Sequence, residues 1–166
     1  MTIAFTGPPC SGKSTLAAEV ARRLGAPHLS MDATRQRLLP DAAHTRADRE
    51  VAYRAMEWAA EMLPVAVLDA PYGHDEDYTG LVRLGAVVIE CHVSPETAVR
   101  RFRERGPDAV RLDLTEDEVR RQVAEYRYRG GALVLDTEKV TVEDAVAQAF
   151  GLLAAREGRV TDPRLR

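Results

Sequence analysis

The sequence predicts a single α/β domain, built on a five-stranded parallel β-sheet with helices on both faces. Two patterns predict it: five short segments of apolar and β-branched residues alternate with segments of helical spacing, and each short segment is apolar almost throughout. Strands buried on both faces have that character, and the helices between them make the right-handed crossovers of a parallel sheet. The 166 residues, 45% hydrophobic and 30% charged, fit one domain, residues 1–166.

The N-terminal half opens with a buried strand and a helix. Residues 2–6 form an apolar run with β-branched and aromatic members, which predicts a strand. After a turn-rich stretch, Leu16, Val20 and Leu24 recur on one face of a helix that Gly25 ends. The same reasoning predicts a strand at 28–31, a helix at 32–39 stopped by Pro40, a loop at 41–47 and a long helix at 48–63.

The C-terminal half continues the alternation. Pro64 opens a third strand, which ends at Asp69, and a Pro-Tyr-Gly loop leads into a short helix. The longest β-branched run predicts a central strand, and Pro95 suits the first turn of the helix that follows. The predicted elements are strands at 65–68, 86–93 and 133–135, helices at about 75–84, 95–105, 116–129 and 142–157, and a frayed tail at about 158–166.

Composition excludes several classes of protein. A net charge of −3 argues against binding nucleic acid through bulk positive charge. Two cysteines are too few for a disulfide framework or a four-cysteine metal site. No apolar run approaches the ~20 residues of a membrane span, and the first residues lack the features of a signal peptide. We therefore expect a cytoplasmic protein with no membrane partner. The absence of asparagine excludes a guanine-reading Asn-x-x-Asp motif.

A phosphate-binding motif lies between the first strand and the first helix. Residues 7–14 match G-x-x-x-x-G-K-[ST], and this strand–loop–helix setting is the context that the motif requires. Such a loop turns its backbone N–H groups towards phosphate oxygens, the lysine reaches the β- and γ-phosphates, and the serine hydroxyl binds Mg²⁺. The predicted nucleotide-binding residues are Gly7, Pro8, Pro9, Cys10, Ser11, Gly12, Lys13, Ser14 and Thr15.

A candidate acceptor site follows the second strand. Asp32 is predicted at the carboxyl edge of the sheet, where the phosphate-binding loop also opens. Arg35 lies three residues further on, so both side chains face the same way on a helix. The carboxylate can take the proton of an attacking hydroxyl while the arginine orients it. Asp is also a favoured N-cap residue, and the two roles are compatible.

Further candidates come from other strand ends and from an arginine-rich helix. Asp69 ends an apolar strand, as a Mg²⁺-binding carboxylate does, or serves as a turn residue. Asp136 ends the fifth strand and suits a structural or nucleotide-adjacent role. Arg101 and Arg105 are four residues apart, so they project from one helix face, where guanidinium groups suit a transferring phosphoryl group; a solvated charged face is the alternative. The histidines show no zinc-binding spacing, so Mg²⁺ is the one metal predicted.

The chain resembles the small P-loop kinases, the group of the 5′-hydroxyl polynucleotide kinases, the gluconate-type kinases and antibiotic phosphotransferases such as the chloramphenicol enzyme. The resemblance covers roughly 2–145. It is carried by residues 7–15, 30–35, 67–70, 101–106 and 135–137. It implies an adenylate-kinase-like core with a helical, arginine-bearing lid at about 100–129. It also implies that Asp32 is the general base and that Arg101 and Arg105 hold the phosphates of ATP.

One departure from the polynucleotide kinases bears on the acceptor. The segment after Asp69 is acidic, with Asp75, Glu76 and Asp77, and lacks the arginine often found there. An acidic rim repels nucleic-acid phosphates. The sequence therefore favours an ATP- and Mg²⁺-dependent kinase acting on a hydroxyl of a small metabolite or antibiotic. A polynucleotide or nucleoside 5′-hydroxyl kinase is the alternative, and a non-catalytic nucleotide-binding module is the third reading.

Overall fold

The sheet has five parallel strands in the order β2-β3-β1-β4-β5. A computed structural model describes residues 1–40, 45–105 and 114–160, with the side chains of 157–160 left aside. The strands are β1 (Thr2–Thr6), β2 (His28–Ser30), β3 (Ala66–Asp69), β4 (Val87–His92) and β5 (Leu133–Asp136). This confirms the predicted fold class. The central position of β1 places the loop that follows it in the middle of the carboxyl edge.

Seven helices are described. They are α1 (Lys13–Leu24), α2 (Met31–Leu38), α3 (Arg46–Met62), α4 (Asp75–Arg83), α5 (Pro95–Arg105), α6 (Glu116–Ala124) and α7 (Val142–Val160). No helix in this described part of the chain combines the length and apolarity needed to cross a membrane.

Two cores cover the two faces of the sheet. Alternate residues of β1 divide between them, with Ile3 and Phe5 in one core and Ala4 in the other, as the period of a strand requires. The first core packs α1 and α7, and the second packs α2, α3 and α4. A third, smaller cluster joins α5 to α6 through Val99 and Val119. The arginine-bearing helix pair therefore has its own core beside the sheet.

The helix predicted at 116–129 is shorter than its sequence pattern indicates. It ends at Ala124 because the following segment finds partners outside the helix. The Glu90 carboxylate accepts hydrogen bonds from the backbone N–H groups of Arg129, at 2.6 Å, and Gly130, at 3.3 Å. A fully buried carboxylate satisfied by backbone donors competes well with continued helix. The last helix, α7, is longer than predicted. It continues to Val160, whereas a frayed tail was predicted from about 158, and residues 161–166 lie outside the described part.

The long helix α3 begins inside the segment that was predicted to be a loop. Its N-cap, Thr45, accepts a hydrogen bond from the backbone N–H of Asp48, and the Asp48 carboxylate accepts one from the backbone N–H of Thr45. This capping box fixes the start of the helix at Arg46. Trp58 lies on the outer side of this helix and is 68% exposed, because the inward face of α3 carries Met56 and its neighbours and a step of two residues turns a side chain to the opposite side.

The capping box predicts a measurable contribution to stability. Thr45→Ala leaves the first-turn N–H of α3 without its side-chain acceptor, so we expect the free energy of unfolding to fall by about 1 kcal/mol in urea titrations. His74 is the matched control, since it is the N-cap of α4 and makes no capping hydrogen bond. An equal loss in His74→Ala would show that the capping box contributes nothing.

Candidate active site

A cavity of about 510 Å³ opens at the carboxyl edge of the sheet. Its size falls within the usual range for small-molecule sites. The lining residues come from the loop after β1, the ends of β2, β3 and β5, and the helices α1, α2, α5 and α7. The candidate residues Lys13, Ser14, Asp32, Asp69 and Arg101 all line it. The fold thus brings together groups that are up to 88 positions apart in the chain, from Lys13 to Arg101.

The loop between β1 and α1 curls tightly against the end of β4. Gly7 has φ +146°, and a Cβ there would lie 2.6 Å from the carbonyl oxygen of Cys91, so only glycine fits. Cys10 and Gly12 also have positive φ angles, 59° and 84°. Alternation of left-handed and ordinary backbone turns successive N–H groups towards one concave side, which is the geometry of an anion nest.

The start of α1 is open towards an anion. Its N-cap is Gly12, which offers no capping side chain. Of the helices that the structure describes, α1 alone has no acidic residue in its first turn. The helix dipole and the free N–H groups therefore face the cavity without a competing carboxylate. Lys13 donates to the carbonyl oxygen of Pro8 at 3.2 Å, which holds its ammonium group over the loop.

The carboxylate of Asp69 lies at the floor of the cavity beside this loop. It is 3% exposed, and His28 Nε2 lies 3.5 Å from its Oδ2. Burial on its own would raise the pKa of this carboxyl group, but His28, Lys13 and Ser14 together hold the pKa below its ordinary value of 3.8. Asp69 is therefore ionised at neutral pH.

Asp69 and Ser14 fit a Mg²⁺ ion. The Oδ1 atom of Asp69 is buried and has no hydrogen-bond partner among the described residues, which leaves an ionised oxygen free to coordinate. A carboxylate and a hydroxyl are the hard oxygen donors that Mg²⁺ takes alongside nucleotide phosphates and water. No cluster of three or more His, Cys, Asp or Glu side chains that could hold a different metal occurs in the described ranges.

The pair predicted on α2 divides between the cavity and the core. Asp32 lines the cavity, whereas Arg35 is 3% exposed and does not. Asp32 is also not the N-cap of α2, which is Ser30; it is the second residue of the helix. The N-cap reading is therefore wrong, and the carboxylate is directed by the first helical turn into the cavity.

Arg101 is fixed in position by backbone and side-chain acceptors. Its guanidinium group donates to the carbonyl oxygens of Cys10, at 3.3 Å, and Thr137, at 2.6 Å, and to the Thr137 hydroxyl at 3.0 Å. It thereby joins the phosphate-binding loop to the end of β5. Arg105 lines the cavity one turn further along α5. Asp136, next to Thr137, pairs with Lys139 at 2.6 Å and does not line the cavity.

Several lining residues carry no signal in the sequence. One wall is apolar and comes from α1, α5, the residue Leu114 before α6, and the segment around the start of α7. Its members are Leu16, Phe102, Leu114, Val140, Val142 and Ala145. His28 is another lining residue that the sequence does not indicate. It lies in a strand of three residues, and nothing in the sequence shows that the register of this strand sets Ser30 opposite Asp69.

The acidic segment after β3 does not line the cavity; only Pro71 does. Asp75 lies 2.5 Å from Arg129 and 3.5 Å from Arg127, and the hydrogen bond from Arg129 holds its pKa below the ordinary value. Asp77 is buried and pairs with Arg46 at 3.0 Å. The prediction that these acidic residues form the rim of the acceptor site is therefore wrong, because Asp75 and Asp77 pair with arginines and do not line the cavity.

Known proteins share this fold. A gluconokinase from Sinorhizobium meliloti 1021 superposes with a TM-score of 0.75 at 17% identity, covering 96% of this chain and 94% of that one. A shikimate kinase from Bacteroides thetaiotaomicron gives 0.70 at 16% identity, covering 93% and 98%. The Mycobacterium tuberculosis APS kinase, in its complex with AMPPNP and APS, gives 0.71 at 23% identity, covering 92% and 96%.

Sequence comparison agrees with the fold. The profile of the family described as AAA domain matches residues 3–128. A cytidylate kinase from Methylocella silvestris is 30% identical over 190 aligned positions, which cover 98% of this chain and 86% of that protein. Fold and phosphate-binding loop define a P-loop kinase of the small-molecule and nucleotide kinase type. The chain belongs to the AAA domain family, AAA_33, and to the small P-loop kinases that its sequence resembles.

The contacts of Arg101 predict a role in nucleotide binding that Arg100 does not share. Arg101→Lys keeps the charge but loses the fork of donors to the loop and to Thr137, so we expect the affinity for ATP to fall about tenfold. Arg100→Lys is the control, because the Arg100 side chain is 66% exposed and lies 3.9 Å from Glu104. Calorimetric titration with a non-hydrolysable ATP analogue measures both. Equal affinities in the two variants would contradict the assignment.

Proposed function

We propose that this protein is an ATP- and Mg²⁺-dependent kinase that transfers the γ-phosphoryl group to a hydroxyl of a small metabolite or antibiotic. One observation carries the proposal: Asp32 faces the same cavity as Lys13 and the phosphate-binding loop. A carboxylate beside the end of a bound triphosphate can accept the proton of an attacking hydroxyl. An acceptor that is already an anion has no need of such a group.

The charged residues that line the cavity fall into two groups by the elements that carry them. The cationic groups Lys13, Arg101 and Arg105 belong to the phosphate-binding loop and α5, on the donor side. We assign the lining from β2, α2 and the end of β3 to the acceptor side, namely His28, Ser30, Asp32, Ala33, Asp69 and Pro71. In the part of the chain that the structure describes, this side offers two carboxylates and no arginine. That balance favours an uncharged hydroxyl over a phosphate.

The proposed reaction is an in-line displacement at phosphorus. The acceptor oxygen forms a bond to the γ-phosphorus while the bond from that phosphorus to the β,γ-bridging oxygen breaks, and ADP leaves. The acceptor proton passes to Asp32. Lys13, Arg101 and Arg105 stabilise the negative charge on the transferring group and on the leaving oxygen. Ser14 and Asp69 would hold Mg²⁺, which would supply further positive charge at the phosphates. We place Arg35 behind Asp32 as a positioning residue.

Substitution of the proposed base tests this reaction. Asp32→Asn keeps the shape of the side chain but cannot accept the proton, so we expect turnover to fall by about 10²- to 10⁴-fold with ATP affinity nearly unchanged. Asp117→Asn is the matched control, because the Asp117 side chain is 99% exposed and outside the cavity. Its turnover should equal that of the wild type. Undiminished turnover in Asp32→Asn would remove the base from the mechanism.

A second candidate function is phosphorylation of a nucleoside monophosphate. It is favoured by the 30% identity to a cytidylate kinase along 98% of the chain. In that case the acceptor is a phosphate oxygen, which needs no proton acceptor at neutral pH. Asp32→Asn would then leave turnover with CMP nearly intact, so the same variant separates the two candidates.

An acceptor screen decides the substrate class. ADP release is measured with sugars, nucleosides, aminoglycoside-like antibiotics, CMP and a 5′-hydroxyl oligonucleotide, each against a no-acceptor control. We expect stimulation by a small hydroxyl compound. Stimulation by CMP alone would support the second candidate. A response to the oligonucleotide that weakens steeply with salt would support the 5′-hydroxyl kinase. No stimulation by any acceptor would favour a nucleotide-binding module without transfer activity.

A further inference from the structure

A stripe of apolar side chains on α3 faces solvent, away from both sheet cores. Val51, Trp58 and Met62 are 46%, 68% and 71% exposed, and Ala55 between them is half-buried. The four residues follow one another at steps of four, three and four, which is the spacing of one continuous seam on a helix. The inward face of α3 is separate and carries Ala52, Tyr53, Met56 and Ala60. The stripe therefore takes no part in the hydrophobic clusters of the described residues.

The order of large and small residues in the stripe is self-complementary. When two α3 helices lie antiparallel about a two-fold axis, Val51 of one copy faces Met62 of the other, and Ala55 faces Trp58. Each pairing occurs twice, and it sets the large indole against the smallest side chain of the stripe. Packing of a large knob over a small residue is what a close helix pair requires.

The charges beside the stripe follow the same symmetry. Arg54 and Glu61 flank it on one side, seven residues apart, with side chains that are 77% and 41% exposed. In the antiparallel pair these flanking positions meet across the axis, so Arg54 of each copy approaches Glu61 of the other. Within one chain they pair only at the surface, with Glu50 and Arg83. In the antiparallel pair, Arg54 and Glu61 of each copy would therefore gain an oppositely charged neighbour from the other copy, in addition to these partners within the chain.

We infer that the exposed stripe of α3, Val51, Ala55, Trp58 and Met62, is a dimerisation surface that takes a second copy of this chain, antiparallel about a two-fold axis. Such an isologous contact uses one patch twice and closes on itself. The seam spans about 16 Å of helix, which is a small interface, so the dimer is a weak one that forms in the micromolar range. The inference does not depend on the acceptor or on catalysis.

The single tryptophan reports on this contact directly. Trp58 is the one tryptophan in the sequence, so fluorescence of the wild-type chain monitors the stripe without a label. Sedimentation velocity from low micromolar to submillimolar concentration gives the oligomeric state, and acrylamide quenching at the same concentrations gives the exposure of the indole. We expect dimer formation and protection of Trp58 to rise together with one dissociation constant.

Matched variants locate the interface. Val51→Arg places a charge in the seam, whereas Val134→Arg places the same charge at an equally exposed valine, 45%, on the strand β5 at the far edge of the sheet. We expect at least a tenfold weaker dimer in the first and no change in the second. Arg54→Glu sets like charges together twice and should weaken the dimer about tenfold or more. The double variant Arg54→Glu, Glu61→Arg should restore it.

Each remaining outcome overturns the inference. A wild-type chain that stays monomeric over the whole range, with Trp58 open to acrylamide, has no dimer surface. A monomer with Trp58 already protected would show that the chain covers the stripe itself. Dimers that leave Trp58 open, or that respond equally to Val51→Arg and Val134→Arg, would place the interface elsewhere. Failure of the double variant to restore dimerisation, with its far-ultraviolet circular dichroism unchanged, would reject the antiparallel pairing.

Discussion

The close packing of the loop after β1 against the end of β4 is the constraint on which the rest of the site depends. Gly7 lies so near the carbonyl oxygen of Cys91 that a Cβ cannot be accommodated. The tight approach forces the next residues into a curl with left-handed backbone at Cys10 and Gly12. The helix α1 then begins after Gly12, an N-cap residue that has no capping side chain. An anion-binding concavity is therefore a consequence of how the loop packs, rather than an addition to it.

The helix pair α5 and α6 is coupled to the loop after β3 by the segment between α6 and β5. Glu90, buried in β4, fixes the backbone of Arg129. The Arg129 side chain donates to the carbonyl oxygen of Gly73 at 3.1 Å, and the Tyr126 hydroxyl donates to the carbonyl oxygen of Pro71. The loop after β3 is thereby held at two backbone positions. A buried acid that organises backbone donors explains why this connection is ordered although no regular element contains it.

The fold, and the position of several candidate residues around one cavity, could be predicted from the sequence for definite physical reasons. Strand alternation and the phosphate-binding motif are local patterns, so the sheet and the placement of Lys13 and Ser14 followed from them. Parallel topology brings strand ends to one edge, so Asp32 and Asp69 could be placed there too. Long-range contacts were out of reach. Nothing in the sequence near α6 indicates that contacts with Glu90 follow the helix after it ends at Ala124. Likewise, nothing near Asp75 indicates that its carboxylate pairs with Arg129.

Those missed contacts change the reason for expecting an uncharged acceptor. The sequence suggested repulsion by Asp75 and Asp77, but arginines neutralise both of them outside the cavity. Negative charge in the cavity comes instead from Asp32 and Asp69, and under the proposed function Asp69 would hold Mg²⁺. Under that proposal, Asp32 is the one carboxylate left to face the acceptor. A carboxylate that faces the same cavity as the cationic loop and α5 is what the proposed transfer to a hydroxyl requires: a proton acceptor together with groups that stabilise the transferring phosphoryl group.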